Sequence, residues 1–263
     1  YFLSGIFMFL NIKLCNRKIL FLTACIILII NPFMIYNAGF QYSFLITYAI
    51  MLCSNKITGN YFIKILKISI ISFLVSLPIT VNINYEINLL SILLNIFYVP
   101  FISFVVFPMS IITFVFPFLS GVFKLLIFIL EISNSFFNVF KINIVIPKLS
   151  YVSIILYYLL LIFYHKKSRK IFLTCGFLII LFHIYLPKLD KNYYMYYLDV
   201  GQGDSTLLIS SNQRKVILID TGGIFNSNYY VTDKTNLFFK SIGISKFNTI
   251  ILTHGDYDHM GEA

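Results

Sequence analysis

The chain has 263 residues, 59% hydrophobic, 18% aromatic and only 11% charged, with a formal net charge of +10 and a mean hydropathy of +0.87. That composition excludes a single soluble globular domain. Thirteen of the 20 basic residues, but only Glu86 and Glu131 among the acids, precede residue 188, a net of +11; the remainder carries 7 bases against 8 acids, so the positive excess marks no basic nucleic-acid-binding face there.

Apolar runs predict membrane spans near 1–10, 19–36, 38–54, 61–80, 89–107, 108–130, 150–164 and 171–186, the last two short for a full crossing. There are too many runs for a signal peptide, and they predict a polytopic α-helical membrane domain over 1–187. Tyr1 lies inside an apolar run with no initiator Met, and Ala263 comes closely after a ligand-rich motif, so the chain is read as a fragment of a longer protein. Cys15, Cys25, Cys53 and Cys175 lack CxxC spacing and read as small buried side chains rather than zinc ligands or disulfide partners.

Basic residues set the expected orientation. Lys13, Arg17 and Lys18 form one cluster, Lys56, Lys64 and Lys67 a second, and Lys166, Lys167, Arg169 and Lys170 a third. An even number of spans separates them, so all three face one side, which the positive-inside rule makes cytoplasmic. The segment from Val81 to Glu86 holds no Lys or Arg, as an outside loop should. One further span then puts everything after Pro187 outside the cell, in a multi-pass plasma-membrane protein.

Several polar or helix-breaking residues interrupt the apolar runs: Asn31-Pro32, the stretch Gly39 to Phe44 with Gln41 inside it, then Pro78, Asn95, Pro100 and Pro108. Two readings stay open, ordinary kinks with interhelical hydrogen bonds or a polar bundle interior. Their number favours the second, with Gln41 and Asn95 as candidate polar residues of a channel. The abundant Phe and Tyr read as lipid-facing or interfacial.

After Pro187 the period changes. Tyr193–Val200, Thr206–Ile209 and Lys215–Asp220 are predicted strands, a helix runs from about Asp233 to Ile242 with Gly243 as its stop, and a strand comes next over Thr249–Thr253. This pattern opens an α/β sandwich, and residues 188–263 are too few to close two sheets around a core. Asp220 ends one strand, where its carboxylate can support a neighbouring metal loop through hydrogen bonds. His254-Gly-Asp256-Tyr-Asp258-His259 comes after the last strand and brings His254, Asp256, Asp258 and His259 to one turn. Carboxylates and imidazoles in that density suit one or two divalent cations and a hydrolytic water; the plainer alternative is a polar turn.

Taken together, Tyr197-Leu-Asp-Val-Gly-Gln-Gly-Asp-Ser205, Ile217-Leu-Ile-Asp-Thr-Gly-Gly223 and Ile251-Leu-Thr-His-Gly-Asp-Tyr-Asp-His259 resemble the metallo-β-lactamase-type domain of the ComEC family of DNA-uptake channels. Asn31-Pro32, Gly39-Phe-Gln-Tyr-Ser-Phe44, Leu77-Pro78 and the stretch Asn95 to Pro100 resemble that family's competence domain. The resemblance implies a competence-type transmembrane domain over 1–187 and the first part of a metallo-β-lactamase-type αββα sandwich, truncated, over 188–263. It implies a channel that passes one strand of DNA while an external metal-dependent nuclease digests the other, with an extracellular DNA receptor, a cytoplasmic ATPase and a homo-oligomer as partners.

The superfamily's usual metal motif is HxHxDH, and here Asp256 stands in place of the second His. By resemblance His254 and Asp256 hold one metal, Asp258 and His259 the second, and Asp258 acts catalytically by orienting the attacking water. Carboxylate for imidazole favours Mn²⁺ or Mg²⁺ over Zn²⁺. The family's later metal ligands are absent, so the enzyme is expected to be complete only in the full-length parent. Two alternatives remain: a membrane-anchored metallohydrolase with no part in transport, and a channel with a catalytically inactive metallo-β-lactamase-type domain.

Overall fold

The computed structural model describes residues 15–140, 142–223 and 231–261; the predicted span 1–10 and Lys13 lie outside them. The chain divides into two compact units, Tyr1–Ile79 with Asn88–Asn143, and Thr80–Ile87 with Ile144–Ala263.

In the first unit, α1 (Asn16–Ile30) ends where Asn31 turns extended, and Pro32 opens a short 3₁₀ turn over Pro32–Tyr36. The predicted span 19–36 is therefore two segments, because proline has no N–H to give the preceding turn and restricts the residue before it. Two asparagines cap the helical turns on their C-terminal sides. Asn31 Oδ1 accepts from the Phe33 amide at 3.1 Å, and Asn37 Oδ1 accepts from the Phe40 amide at 3.1 Å, starting α2 (Ala38–Cys53). Lys67 of α3 (Tyr61–Asn84) folds back to donate to the carbonyls of Lys56 and Thr58, at 3.2 and 2.8 Å. After β1 (Glu86–Asn88) comes α4 (Ser91–Phe101), which runs through a π turn at Ile102–Val106 into α5 (Phe107–Val115).

Here the predicted boundary between residues 107 and 108 is corrected. Pro100 and Pro108 bracket the π turn, whose wider winding accommodates two missing amide donors without stopping the helix. The break falls instead at Phe116 (φ −122°, ψ 80°), which precedes Pro117 and is pushed out of the helical region by its ring. A turn at Pro117–Leu119 then leads into α6 (Ser120–Asn138). Among the described residues, Tyr61–Asn84, Ser91–Val115, Pro117–Phe137 and Ile171–Leu189 are long and apolar enough to cross a membrane. This is a membrane protein.

In the second unit, β2 (Asn143–Val145) leads to a helical hairpin of α7 (Tyr151–Lys167) and α8 (Ile171–Leu189), joined through left-handed Ser168 (φ 51°). Ser150 caps α7, and Ser153 Oγ lies 2.8 Å from His183 Nε2, which pairs a buried imidazole inside the hairpin. Tyr157 lies over Gly176, where a Cβ would sit 3.4 Å from the ring.

The sheet comes next as β3 (Tyr194–Tyr197), β4 (Thr206–Ile209), β5 (Val216–Ile219) and β6 (Thr249–Ile251), in that spatial order. The first two pairs are antiparallel and β5–β6 is parallel, with α9 (Val231–Ser241) as the crossover. Alternation puts Leu207, Ile209, Val216 and Leu218 on one face, where Phe239 and Ile244 complete the core. Truncating one of these to Ala costs about 2–5 kcal/mol. The other face carries Ile217, Ile219 and Ile251, the last 44% exposed. A helix on one face and an apolar second face are the first layers of the predicted αββα sandwich.

Candidate metal centre

Three loops at one end of the sheet build the centre: residues 199–205 before β4, 220–223 after β5, and 252–259 after β6. Asp220 leaves β5 in the left-handed region (φ 55°), a conformation Asp tolerates better than most residues. Its amide donates to the Ile251 carbonyl at 2.8 Å, which ties the two loops at their start. Its own carbonyl accepts from the Ser205 hydroxyl at 2.9 Å.

The Asp220 carboxylate is buried and accepts three hydrogen bonds. The Thr253 amide donates to Oδ1 at 2.8 Å, while the Thr253 hydroxyl and His259 Nδ1–H donate to Oδ2 at 2.7 and 3.0 Å. Burial alone would raise its pKa, but these donors hold it below the usual carboxylate range. Asp220 thus ties the strand-end loop to Thr253 and His259 of the loop after β6.

Thr253, which the residue pattern alone did not single out, has a more specific consequence. Its single hydroxyl proton goes to Asp220, so the 2.9 Å contact with His254 is made by His254 Nδ1–H donating to Thr253 Oγ1. His259 likewise spends Nδ1–H on Asp220. Both imidazoles therefore present Nε2, and both Nε2 atoms face carboxylates: His254 lies 3.3 Å from Asp256 Oδ2, and His259 lies 3.7 Å from Asp258 Oδ2. A lone pair beside a carboxylate is repulsive unless a cation joins them, whether a proton or a metal. In the protonated case, the hydrogen bond to Asp220 raises the His259 pKa, burial opposes it, and the charges of Asp258, Asp220 and Asp204 add to the rise.

The ligand atoms of His254, Asp258 and His259 lie within 4.8 Å of one another, and the two rings are 3.8 Å apart between centroids. Ligands about 2.1 Å from a shared metal are roughly 3–4 Å apart, so small side-chain rotations would bring this set onto a divalent cation. Asp256 precedes α10 (Tyr257–Met260) without a side-chain capping bond and touches His254, but it stands outside that tight group with its side chain 77% exposed.

Two further features hold the metal loop. Thr221 N–H donates to the His259 carbonyl at 2.8 Å, and Gly203 (φ 79°) lies so close that a Cβ there would overlap the Asp258 carbonyl. The glycine-rich loop is thus the seat on which the ligand loop rests. Its signal was present in the sequence as Gly201 and Gly203, but a hairpin loop uses the same residues. Gln41 and Asn95 belong to the other unit. Gln41 Nε2 donates to the Ile35 carbonyl at 2.7 Å, which satisfies a group freed by the break at Asn31-Pro32, and Asn95 lies half-buried in α4.

Residues 1–170 match a family profile described as Competence protein, and residues 198–263 match the Metallo-beta-lactamase superfamily. The chain is similar to ComE operon protein 3 of Bacillus subtilis (strain 168), 28% identical over 272 residues, an alignment covering 92% of this chain and 35% of that protein. It therefore spans about a third of that curated relative. No solved structure matches it.

Proposed function

The chain belongs to the competence-protein family of ComEC type, and from that premise we propose that its full-length parent takes up DNA during natural transformation. In this reading residues 1–187 are a plasma-membrane channel for single-stranded DNA, and 188–263 open an external nuclease domain that hydrolyses phosphodiesters. The convergence of His254, Asp258 and His259 in a chain that also carries a competence-type membrane part supports the proposal.

His254, Asp256, Asp258 and His259 would hold two divalent ions, Mn²⁺ or Mg²⁺ in preference to Zn²⁺ for a donor set half carboxylate. When bound, such ions polarise a water and offset the charge gathering on the attacked phosphate. Asp258 would orient that water. Asp220 and Thr253 keep both imidazoles in the tautomer that exposes Nε2.

Two observations bear on the side of the membrane. The basic clusters around Lys64 and at 165–170 are separated by α3, the α4–α5 helix and α6, and the number of crossings between them is even when α7, at 17 residues short for a full span, is counted with them. In addition, Lys240 of α9 pairs with Glu86 at 3.1 Å, a contact that fits the loop after α3 and the sheet domain lying on one side. Both support an outside location for residues after 187. A DNA receptor, a cytoplasmic ATPase and self-association complete the proposed machine. The Gln41–Ile35 bond favours a structural part for that amide, as a membrane-anchored metallohydrolase would also require.

The test is cleavage of DNA by the full-length parent with and without Mn²⁺, against Asp258→Ala. Loss of cleavage in the variant with retained folding is expected. Wild-type rates in the variant at saturating Mn²⁺ would remove Asp258 from the mechanism, and no cleavage by the unaltered parent would leave the inactive-domain alternative.

A further inference from the structure

The sheet domain comes directly after α8, and the usual picture of such a junction is a tether. Its contacts are different. Asn212 Nδ2 donates to the Lys188 carbonyl at 2.8 Å, and the Asn212 amide donates to the Asp190 carbonyl at 2.6 Å, so the turn after β4 grips the end of the membrane helix. The C-terminal carbonyls of α9, which helix geometry leaves without partners, are met from outside the helix. Lys148 N–H donates to Ser241 O at 3.0 Å and Gln213 Nε2 donates to Ile242 O at 2.9 Å.

Gly243 (φ 85°) then closes the end of α9 against two prolines, where a Cβ would lie 2.9 Å from Pro147 and 3.3 Å from Pro187. The segment before α7 is itself anchored, since Ile146 N–H donates to Tyr85 O and Leu149 N–H to Asn82 Oδ1, at 2.9 and 2.8 Å. Ile146 and Val81 are fully buried there. Finally, the Lys240–Glu86 ion pair joins the same helix end to the loop after α3, both side chains being about three-quarters withdrawn from solvent.

We propose that segments 82–86, 146–149 and 187–190 form a clamp that closes on the C-terminal end of α9 and fixes the metal-bearing sheet on the outer ends of α3, α7 and α8. Glu86, Lys240 and Gly243 are positioning residues: they touch no substrate and act by holding the metal centre at one standoff from the bilayer. The fixed standoff rests on the proposed uptake function for its purpose, while the clamp stands on the contacts alone.

The experiment uses the full-length parent in membranes, with Glu86→Lys, Lys240→Glu, the double exchange, and Gly243→Ala. Spin labels at exposed Tyr151 and Ser245, both introduced as Cys, report the distance distribution between hairpin and sheet domain. Either single exchange is expected to broaden that distribution at least twofold and to lower transformation by about tenfold, while cleavage of free DNA by the solubilised protein stays within twofold. The double exchange is expected to restore both. Gly243→Ala should broaden the distribution without any change of charge. Narrow, unchanged distributions in both single exchanges would overturn the clamp. A broadened distribution with unchanged transformation would overturn the positioning role. Absence of cleavage in the unaltered protein would instead count against the nuclease reading, leaving the distance measurement to decide the clamp.

Discussion

Thr253 Oγ1 donates to Asp220 Oδ2 at 2.7 Å, and this one bond decides which nitrogen His254 offers to a metal. Thr253→Val removes the hydroxyl at nearly constant volume. His254 is then free to flip its tautomer, and Asp220 loses one of its donors. Metal affinity is expected to fall 10–100-fold, the usual consequence of deleting a residue that orients a ligand, and Thr253→Ser should recover most of it. Calorimetric titration of the full-length parent with Mn²⁺ measures this, and an unchanged dissociation constant in Thr253→Val would refute the tautomer argument.

Gly203→Ala tests the seat beneath the ligand loop. The added methyl meets both a left-handed backbone (φ 79°) and the Asp258 carbonyl. The conformational term alone costs about 1–2 kcal/mol, and displacing the 256–259 backbone adds to it. Lower thermal stability of the domain together with weakened Mn²⁺ binding is expected. Gly121→Ala, with open space around its Cβ, is the control and should change neither.

Orientation is read by labelling. In a background with Cys15, Cys25, Cys53 and Cys175 replaced, Lys191→Cys lies on the exposed stretch after α8 and is expected to react with an impermeant maleimide in intact cells. Ser168→Cys, in the basic turn, should react only after permeabilisation. The reverse pattern would invert the membrane topology.

Gln41→Leu and Asn95→Leu separate transport from cleavage. If these amides line the path of the strand, both variants lose uptake of labelled DNA while cleavage by the solubilised parent persists. The Gln41 bond to Ile35 adds a second expectation, that Gln41→Leu also lowers thermal stability by leaving that carbonyl unpaired. Normal uptake in both variants would make the amides purely structural.

Much of this molecule is legible in its residues alone. The composition shift at Pro187, the four conspicuous residues after β6 and the glycines of the 199–205 loop are local signals, and local chemistry interprets them: apolar length for spans, period two for strands, ligand type for metal. The strands and the crossover helix lie within a few residues of their predicted places for that reason. The helix break at Phe116 does not, because several prolines compete in that stretch and only the winding of the continuous helix determines which one ends it.

The metal loop shows the same division more sharply. Residue types single out His254, Asp258, His259 and Asp220, since carboxylates and imidazoles carry their chemistry wherever they stand. That Thr253 governs a tautomer, that Gly203 supports Asp258 from 55 positions away, and that Lys240 reaches Glu86 across the helical hairpin's unit depended on distances between segments far apart in the chain. Hydrogen bonds and close contacts act over a few ångströms, and sequence spacing is silent about them until the fold has set those distances.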